Sequence, residues 1–295
     1  MVSGGLITTD GKKIALDRIF NASPTRTVPV QFKVGTGTAT ASLGDTDLGY
    51  PVPIANTESV DNCDATTGWT DSADMTVSVN TTTYKEGTGS LNLTKDGVAS
   101  ATISTYKTTT SLNFTSKELS IWIYIIDATA LAKLTGSNCL TIRFGSDAAN
   151  YYQWTKNSSD LAVGWNLIDK LTSATATTVG SPVITACDYT YIDLTATGAA
   201  IVWSAGDFAM DDIKLISSDD YLKYFEAGYP ILDYANLKIT MRGRISTIHA
   251  NGYLISEFGI FNYDSSKLLF SRDVFSAISK SNTDEIIFEV VTQID

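Results

Sequence analysis

Residues able to do acid–base or nucleophilic chemistry are few in this 295-residue chain. His249 is its only histidine, and no serine elbow of the hydrolase type lies beside it. Asp211 with Asp212, and Glu285 with Glu289, are nominal carboxylate pairs for glycoside hydrolysis. Adjacent residues of a strand, however, point to opposite faces. With no phosphate loop and no Cys/His metal spacing either, the sequence predicts a protein that is not an enzyme.

The charge balance points away from nucleic acid. Lys and Arg number 21 against 32 Asp and Glu, a formal net charge of -11. Phosphate backbones and anionic lipid heads are bound by clustered Lys and Arg. No run approaches 18 apolar residues, and residues 1–10 lack the basic start and apolar core of a signal peptide. We therefore expect no nucleic-acid partner and no membrane insertion or export.

Aromatic and arginine side chains in strand-like segments are better candidates for binding. In the run LSIWIYI (119–125), Trp122 and Tyr124 share one face and the aliphatic residues share the other. Arg143 alternates with the apolar residues of its own segment, and the next segment supplies Tyr151, Tyr152, Gln153 and Trp154. A guanidinium beside two rings could bind a sugar or a carboxylate, and the alternative is a salt bridge to a nearby Asp.

The elements that carry these residues are predicted to be strands. Thr, Ser, Gly and Tyr are abundant, and a two-residue alternation marks many short segments bounded by turn residues. Such segments occur at 28–34, 91–93, 119–125, 140–144, 213–215, 237–242 and 288–294. Short helical turns are the only helices expected, at 127–134 and 271–278. The three cysteines, Cys63, Cys139 and Cys187, read as packed thiols.

Composition divides the chain into three blocks. A Thr/Ser-rich block at 56–217 separates the flanks 1–55 and 218–295. Neither flank has enough strands to close a core alone, so the two are expected to fold together. The predicted fold class is all-β, with a small discontinuous β domain interrupted by an inserted β-sandwich of the jelly-roll type.

Ordered motifs in the middle block carry a family resemblance. They are SVDNCD (59–64), TGW (67–69), YKEGTGSL (84–91), LSIWIYI (119–125), FGSD (144–147), GWN (164–166) and MDDIKL (210–215). This set resembles the jelly-roll carbohydrate-binding modules of the galactose-binding-like class over about 160 residues.

That resemblance implies a structural calcium ion. In the family, an early acidic residue, a Glu-Gly turn and a late Asp surround the ion, and hard oxygen ligands suit it. The corresponding candidates here are Asp61 or Asp64, Glu86, and Asp211 or Asp212. The alternative is that these acids lie in solvated turns.

The resemblance also implies a ligand face on the concave side of one sheet, where rings stack on sugars. The candidate ligand-binding residues are Trp122, Tyr124, Arg143, Tyr152 and Trp154. If the aliphatic residues of 119–125 form the core, Trp122 and Tyr124 face the concave surface. If the aromatic residues form the core, this strand contributes nothing to binding.

The two flanks carry a second resemblance. Their motifs are QFKVGTGT (31–38), DTDLGYPVPI (45–54), FEAGYP (225–230), EFGIFN (257–262), LFSRDVFS (269–276) and FEVV (288–291). Together they resemble a small β domain of structural proteins in the tails, baseplates and fibres of tailed bacteriophages.

These resemblances predict a bacteriophage virion structural protein: a tail, baseplate, fibre or capsid-decorating component. The flanking domain would dock with other virion proteins in a symmetric oligomer assembled in the bacterial host cytoplasm, and the sandwich would display a glycan-binding surface for host attachment. One alternative is a soluble carbohydrate-binding protein. Another is a structural scaffold whose sandwich makes only protein contacts.

Overall fold

Antiparallel strands make up almost all of the regular structure. The computed structural model describes residues 5–55, 57–236 and 238–293. The chain divides into a discontinuous unit, Met1–Asn56 with Ser218–Asp295, and an inserted unit, Thr57–Ser217. The all-β fold class, a discontinuous β unit interrupted by a β-sandwich, is confirmed.

The elements follow one another in this order. They are β1 (Leu6–Ile7), α1 (Thr9–Phe20), β2 (Pro29–Gly35), β3 (Pro51–Val52), β4 (Glu58–Asp61), β5 (Trp69–Asp71), β6 (Met75–Asn80), β7 (Ser90–Lys95), β8 (Thr102–Leu112), β9 (Lys117–Ile125), α2 (Ala128–Leu131), β10 (Leu140–Asp147), β11 (Asn150–Lys156), β12 (Gly164–Thr172), β13 (Thr177–Val179), β14 (Cys187–Thr195), β15 (Phe208–Ser217), β16 (Lys223–Tyr224), β17 (Ile231–Asp233), β18 (Lys238–Ile245), β19 (Leu254–Asn262), β20 (Leu269–Ser279) and β21 (Ile286–Gln293).

Two six-stranded sheets form the inserted unit. One has the order β13-β11-β10-β14-β8-β5, and the other has the order β12-β9-β15-β7-β6 with β4 also paired to β15. Alternate side chains of each sheet meet in one apolar core. Leu119, Ile121 and Ile123 are fully buried there, each gaining roughly 1.5–3 kcal/mol from leaving water. The core therefore fixes which residues of every strand face outward.

The discontinuous unit also contains two sheets. Their orders are β1-β20-β19-β2-β16, with β3 on β2, and β17-β18-β21. Phe258 of β19 stacks on Phe288 of β21, with ring centroids 4.8 Å apart, which packs one sheet on the other. Buried Glu257 binds Arg272 at 2.7 Å and accepts the backbone N–H groups of Gly37 and Tyr50, both at 2.9 Å. This ion pair holds the loops between β2 and β3.

Two helix predictions need correction. Residues 271–278, expected to form a helical turn, lie within β20, because they pair with β19 on one side and β1 on the other. Helix α1 was not predicted, and its apolar residues Leu16, Ile19 and Phe20 are exposed and so give no buried periodic face. Its available signal was the cap: the Thr8 hydroxyl accepts the Gly11 N–H at 3.0 Å.

The other segment predictions agree with the strands. The short turn predicted at 127–134 contains α2, capped by Asp127. Leu237 and Ile294, which bound two of the predicted strands, lie outside the described residues. Across the described ranges, neither helix combines the length and apolarity that crossing a bilayer requires.

Candidate functional site

A cluster of tyrosines lies on the outer face of the sheet β13-β11-β10-β14-β8-β5. Leu140, Ile142 and Phe144 of β10 point into the core, so Arg143 points outward. Cross-strand register places the outward residues of neighbouring strands beside it. We call this surface the tyrosine face, and its members are Tyr106, Arg143, Tyr151, Gln153, Tyr189, Tyr191 and Asp193.

Arg143 is sandwiched between aromatic rings at the centre of the face. Its guanidinium carbon lies 4.4 Å from the ring centroid of Tyr191 and 4.9 Å from that of Tyr151. Its Nε donates to Gln153 Oε1 at 3.0 Å, and its Nη2 lies 3.3 Å from Asp193 Oδ2. Both alternatives for this residue therefore describe it in part: the arginine forms a salt bridge and also stands beside two rings.

Three tyrosines continue the surface on the other side of Arg143. Tyr191 is stacked with Tyr106 at 6.4 Å between ring centroids and with Tyr189 at 6.2 Å. Tyr106 is 37% exposed and Tyr191 is half-buried, so their rings are open to solvent. Directly opposed residues form a row across all six strands: Thr70, Tyr106, Tyr191, Arg143, Gln153 and Thr177.

Burial changes the acid–base properties of this face. It raises the pKa of the Asp193 carboxyl to about 6, with contacts to Tyr191 and Arg143 lowering it in part. Burial also raises the pKa of the Tyr189 hydroxyl to about 12. Tyr189 therefore remains a neutral hydrogen-bonding group at physiological pH, and Asp193 is sensitive to mild acid.

A glycine allows two strands of this sheet to approach closely beside Arg143. Gly145 lies opposite both Tyr151 and Tyr189 in the two adjoining ladders. A Cβ at this position would come 2.4 Å from Tyr151 Cα. Any side chain there would push β11 away, so glycine is required for the close approach of Tyr151.

The structure corrects two of the predicted ligand residues. Tyr152 and Trp154 belong to the core, with their rings 5.7 and 6.1 Å from that of Phe114. The Trp154 indole N–H donates to the Thr172 carbonyl at 3.2 Å. Register places Tyr152 opposite Phe144, which points inward, so Tyr151 and Gln153 take the outward positions beside Arg143.

Trp122 and Tyr124 lie on the other sheet, away from Arg143. The aliphatic residues of β9 form the core, and the two aromatic side chains point to the outer face of β12-β9-β15-β7-β6. Tyr124 packs against Trp165 at 5.1 Å between ring centroids. Trp122 is only 7% exposed, because Lys85 covers it with Nζ 4.5 Å from the ring centroid. We call this surface the tryptophan face, defined by Trp122, Tyr124, Trp165 and Asp211.

Each of the five predicted calcium ligands has at least one protein partner. Asp61 pairs with Lys107 at 2.5 Å. Asp64 Oδ1 accepts the N–H groups of Thr88 and Gly89, both at 2.7 Å. The remaining three, Glu86, Asp211 and Asp212, surround the start of the 84–89 turn and are considered below. Within the described residues, no three His, Cys, Asp or Glu side chains converge on a metal-sized space.

Sequence reasoning did not name four members of the tyrosine face: Tyr106, Tyr189, Tyr191 and Asp193. A signal was present for three of them, since β14 contains CDYTYID, with Tyr189, Tyr191 and Asp193 in alternation. The pairing of β14 with β10 places that alternation beside Arg143, and this is information that no local pattern contains.

This chain matches known proteins in its three-dimensional structure and not in its sequence. No family model and no curated protein matches the chain. A family 11 carbohydrate-binding module from Clostridium thermocellum, solved with a β-1,3-1,4-mixed-linked tetrasaccharide, is similar at 10% identity and a TM-score of 0.39, covering 55% of this chain and 96% of its own. The CBM22-2 xylan-binding domain of Xyn10C from Paenibacillus barcinonensis is similar at 11% identity and a TM-score of 0.33, covering 55% and 99%.

Proposed function

We propose that the tyrosine face binds a neutral glycan. The observation that carries the proposal is the Tyr106–Tyr191–Arg143 row, in which solvent-open rings adjoin a guanidinium already fixed by Gln153 and Asp193. Aromatic faces pack on the apolar faces of sugar rings, while amide, hydroxyl and guanidinium groups bond their hydroxyls.

Charge on the face favours a neutral polymer over an acidic one. Arg143 is its single cation among the members named above, and Asp193 lies 3.3 Å from it. The remaining members are tyrosines and Gln153, which add nothing to the formal charge. An anionic ligand would have to compete with Asp193 for the same guanidinium, whereas neutral hydroxyls can bond both groups at once.

The dimensions of the row favour an oligosaccharide over a single sugar. Six residues in register span five strand spacings, or roughly 24 Å at about 4.8 Å for each spacing. A chain lying across the strands can therefore place successive rings over Tyr106, Tyr191 and the Arg143–Tyr151 pair.

Calorimetric titration tests this proposal. The purified chain is titrated with soluble mixed-linked β-glucan and xylan oligosaccharides, and is applied to a glycan array to extend the panel. We expect binding to a neutral oligosaccharide that is strongly weakened in Tyr191→Ala and retained in the matched control Tyr124→Ala on the tryptophan face. Equal loss in both variants, or no neutral ligand on the array, would contradict the proposal.

The setting in a bacteriophage particle remains a prediction from the flanking motifs. Supporting it, the discontinuous unit has its own core and sheets, so it could serve as a docking unit while the sandwich displays the tyrosine face. Mass spectrometry of purified virions tests this part separately. Finding the chain at a fixed stoichiometry supports virion assembly and host attachment, and its absence leaves a soluble carbohydrate-binding protein.

A further inference from the structure

A buried lysine lies among the carboxylates for which the resemblance to carbohydrate-binding modules implied calcium. Lys214 Nζ is 2.5 Å from Asp212 Oδ2 and 3.4 Å from Glu86 Oε2, and its side chain is 10% exposed. We propose that the Lys214 ammonium takes the place of a divalent cation at this site, so that the sandwich needs no calcium here.

The contacts of Lys214 make the connection that a metal ion would make. Glu86 belongs to the turn before β7, and Lys214 and Asp212 belong to β15, the last strand of the inserted unit. One ammonium group thus joins two segments 128 residues apart. A register shift between Asp211 and Lys214, with Asp212 at φ 48°, brings Asp212 and Lys214 onto the same charged cluster.

The other carboxyl oxygens do not form a calcium coordination shell. Asp211 Oδ2 accepts the backbone N–H groups of Lys85 at 2.6 Å and Glu86 at 3.1 Å. Asp211 Oδ1 is buried without a hydrogen-bond partner among the described residues, but it is one oxygen. Calcium takes six to eight oxygen ligands. An ion bound by Asp212 would also meet the Lys214 ammonium, and their like charges would repel.

Thermal unfolding of the whole chain with calcium or with a chelator tests the proposal directly. We expect the wild-type Tm to be the same in EDTA and in millimolar CaCl2, and calorimetry to detect no calcium binding. A Tm that falls in EDTA and recovers with CaCl2, or a calcium isotherm that is lost in Asp212→Asn, would overturn it.

Substitution of Lys214 provides a second test of the proposal. Lys214→Met keeps the apolar stem but leaves Asp212 and Glu86 without their cation, and removing one partner of a buried pair should lower Tm by about 10 °C. Lys117→Met is the matched control, since Lys117 pairs with Glu58 at a more exposed site, and we expect little change. A Lys214→Met protein as stable as the control would contradict the proposal. If Lys214→Met does not fold, the wild-type calcium and EDTA measurements decide the question.

Discussion

The two outer faces of the sandwich carry similar aromatic residues but differ in what covers them. On the tyrosine face, Tyr106 and Tyr191 remain open to solvent beside Arg143. On the tryptophan face, the turn that contains Lys85 folds over Trp122 and donates two N–H groups to Asp211. An aromatic residue on the outside of a sheet is therefore available to a ligand only where no connecting segment packs on it.

The largest expected effect is a loss of stability on substitution in the tryptophan face. Trp122→Ala removes a nearly buried ring and the surface on which Lys85 packs, so we expect the free energy of unfolding to fall by about 3 kcal/mol. Glycan affinity of the folded protein should not change. Denaturant unfolding and calorimetric titration measure the two quantities. Tyr106→Ala, at a more exposed ring, is the control and should cost less than about 1 kcal/mol. Lost binding with unchanged stability in Trp122→Ala would place the ligand on the tryptophan face.

On the tyrosine face, substitution should reduce glycan affinity more than it reduces stability. Tyr191→Ala removes the ring in contact with Arg143, Tyr106 and Tyr189, and we expect a loss of about 2 kcal/mol in binding, or roughly 30-fold in Kd. Stability should fall by less than it does in Trp122→Ala. The prediction is wrong if titration shows that Tyr191→Ala binds the oligosaccharide as tightly as the wild type.

A smaller effect tests the guanidinium itself. Arg143→Lys keeps the charge but loses the planar fork that reaches Gln153 and Asp193 and stacks on two rings. We expect a roughly tenfold weaker Kd for the neutral oligosaccharide. Arg242→Lys, at an arginine of the discontinuous unit paired with Glu226, is the matched control. Equal affinity of Arg143→Lys and wild type would show that Arg143 serves only a structural role, through its salt bridge.

The smallest effect is a pH dependence of stability. Burial raises the pKa of Asp211 to about 7 and those of Asp193 and Asp212 to about 6, above the value near 4 of an unfolded chain. Raised carboxyl pKa values mean that folding takes up protons, so this contribution is full below about pH 4 and is lost as pH rises through 6 and 7.

We therefore expect a Tm several degrees higher at pH 5.5 than at pH 8, measured by calorimetry. Asp211→Asn should reduce the dependence of Tm on pH without changing glycan affinity at pH 8, because Asp211 belongs to the tryptophan face. Asp193→Asn should change both quantities. A Tm that falls between pH 8 and pH 5.5 would contradict the assignment.

The local sequence pattern predicted which residues of a strand share a face. It did not predict which face is buried where both faces carry an aromatic residue. In LSIWIYI (119–125), the aliphatic set is the core and the aromatic set points outward, one of the two alternatives that the pattern allowed. In YYQW (151–154), either alternation contains an aromatic residue and either could be core. The opposition of Tyr152 to Phe144 resolves it, and that pairing depends on the register of β10 with β11.

The sequence by itself determined the all-β class and which residues of a strand share a face, because alternation is a property of the extended backbone. It did not determine which of two aromatic faces is open. Trp122 is covered because the turn that contains Lys85 packs on it. This turn also bonds to Asp211, and Lys85 and Asp211 are 126 residues apart in the chain. The open face depended equally on β14, which brings Tyr189 and Tyr191 beside Arg143. Only the tertiary structure decided both, because strand register and loop cover arise from contacts between residues distant in the chain.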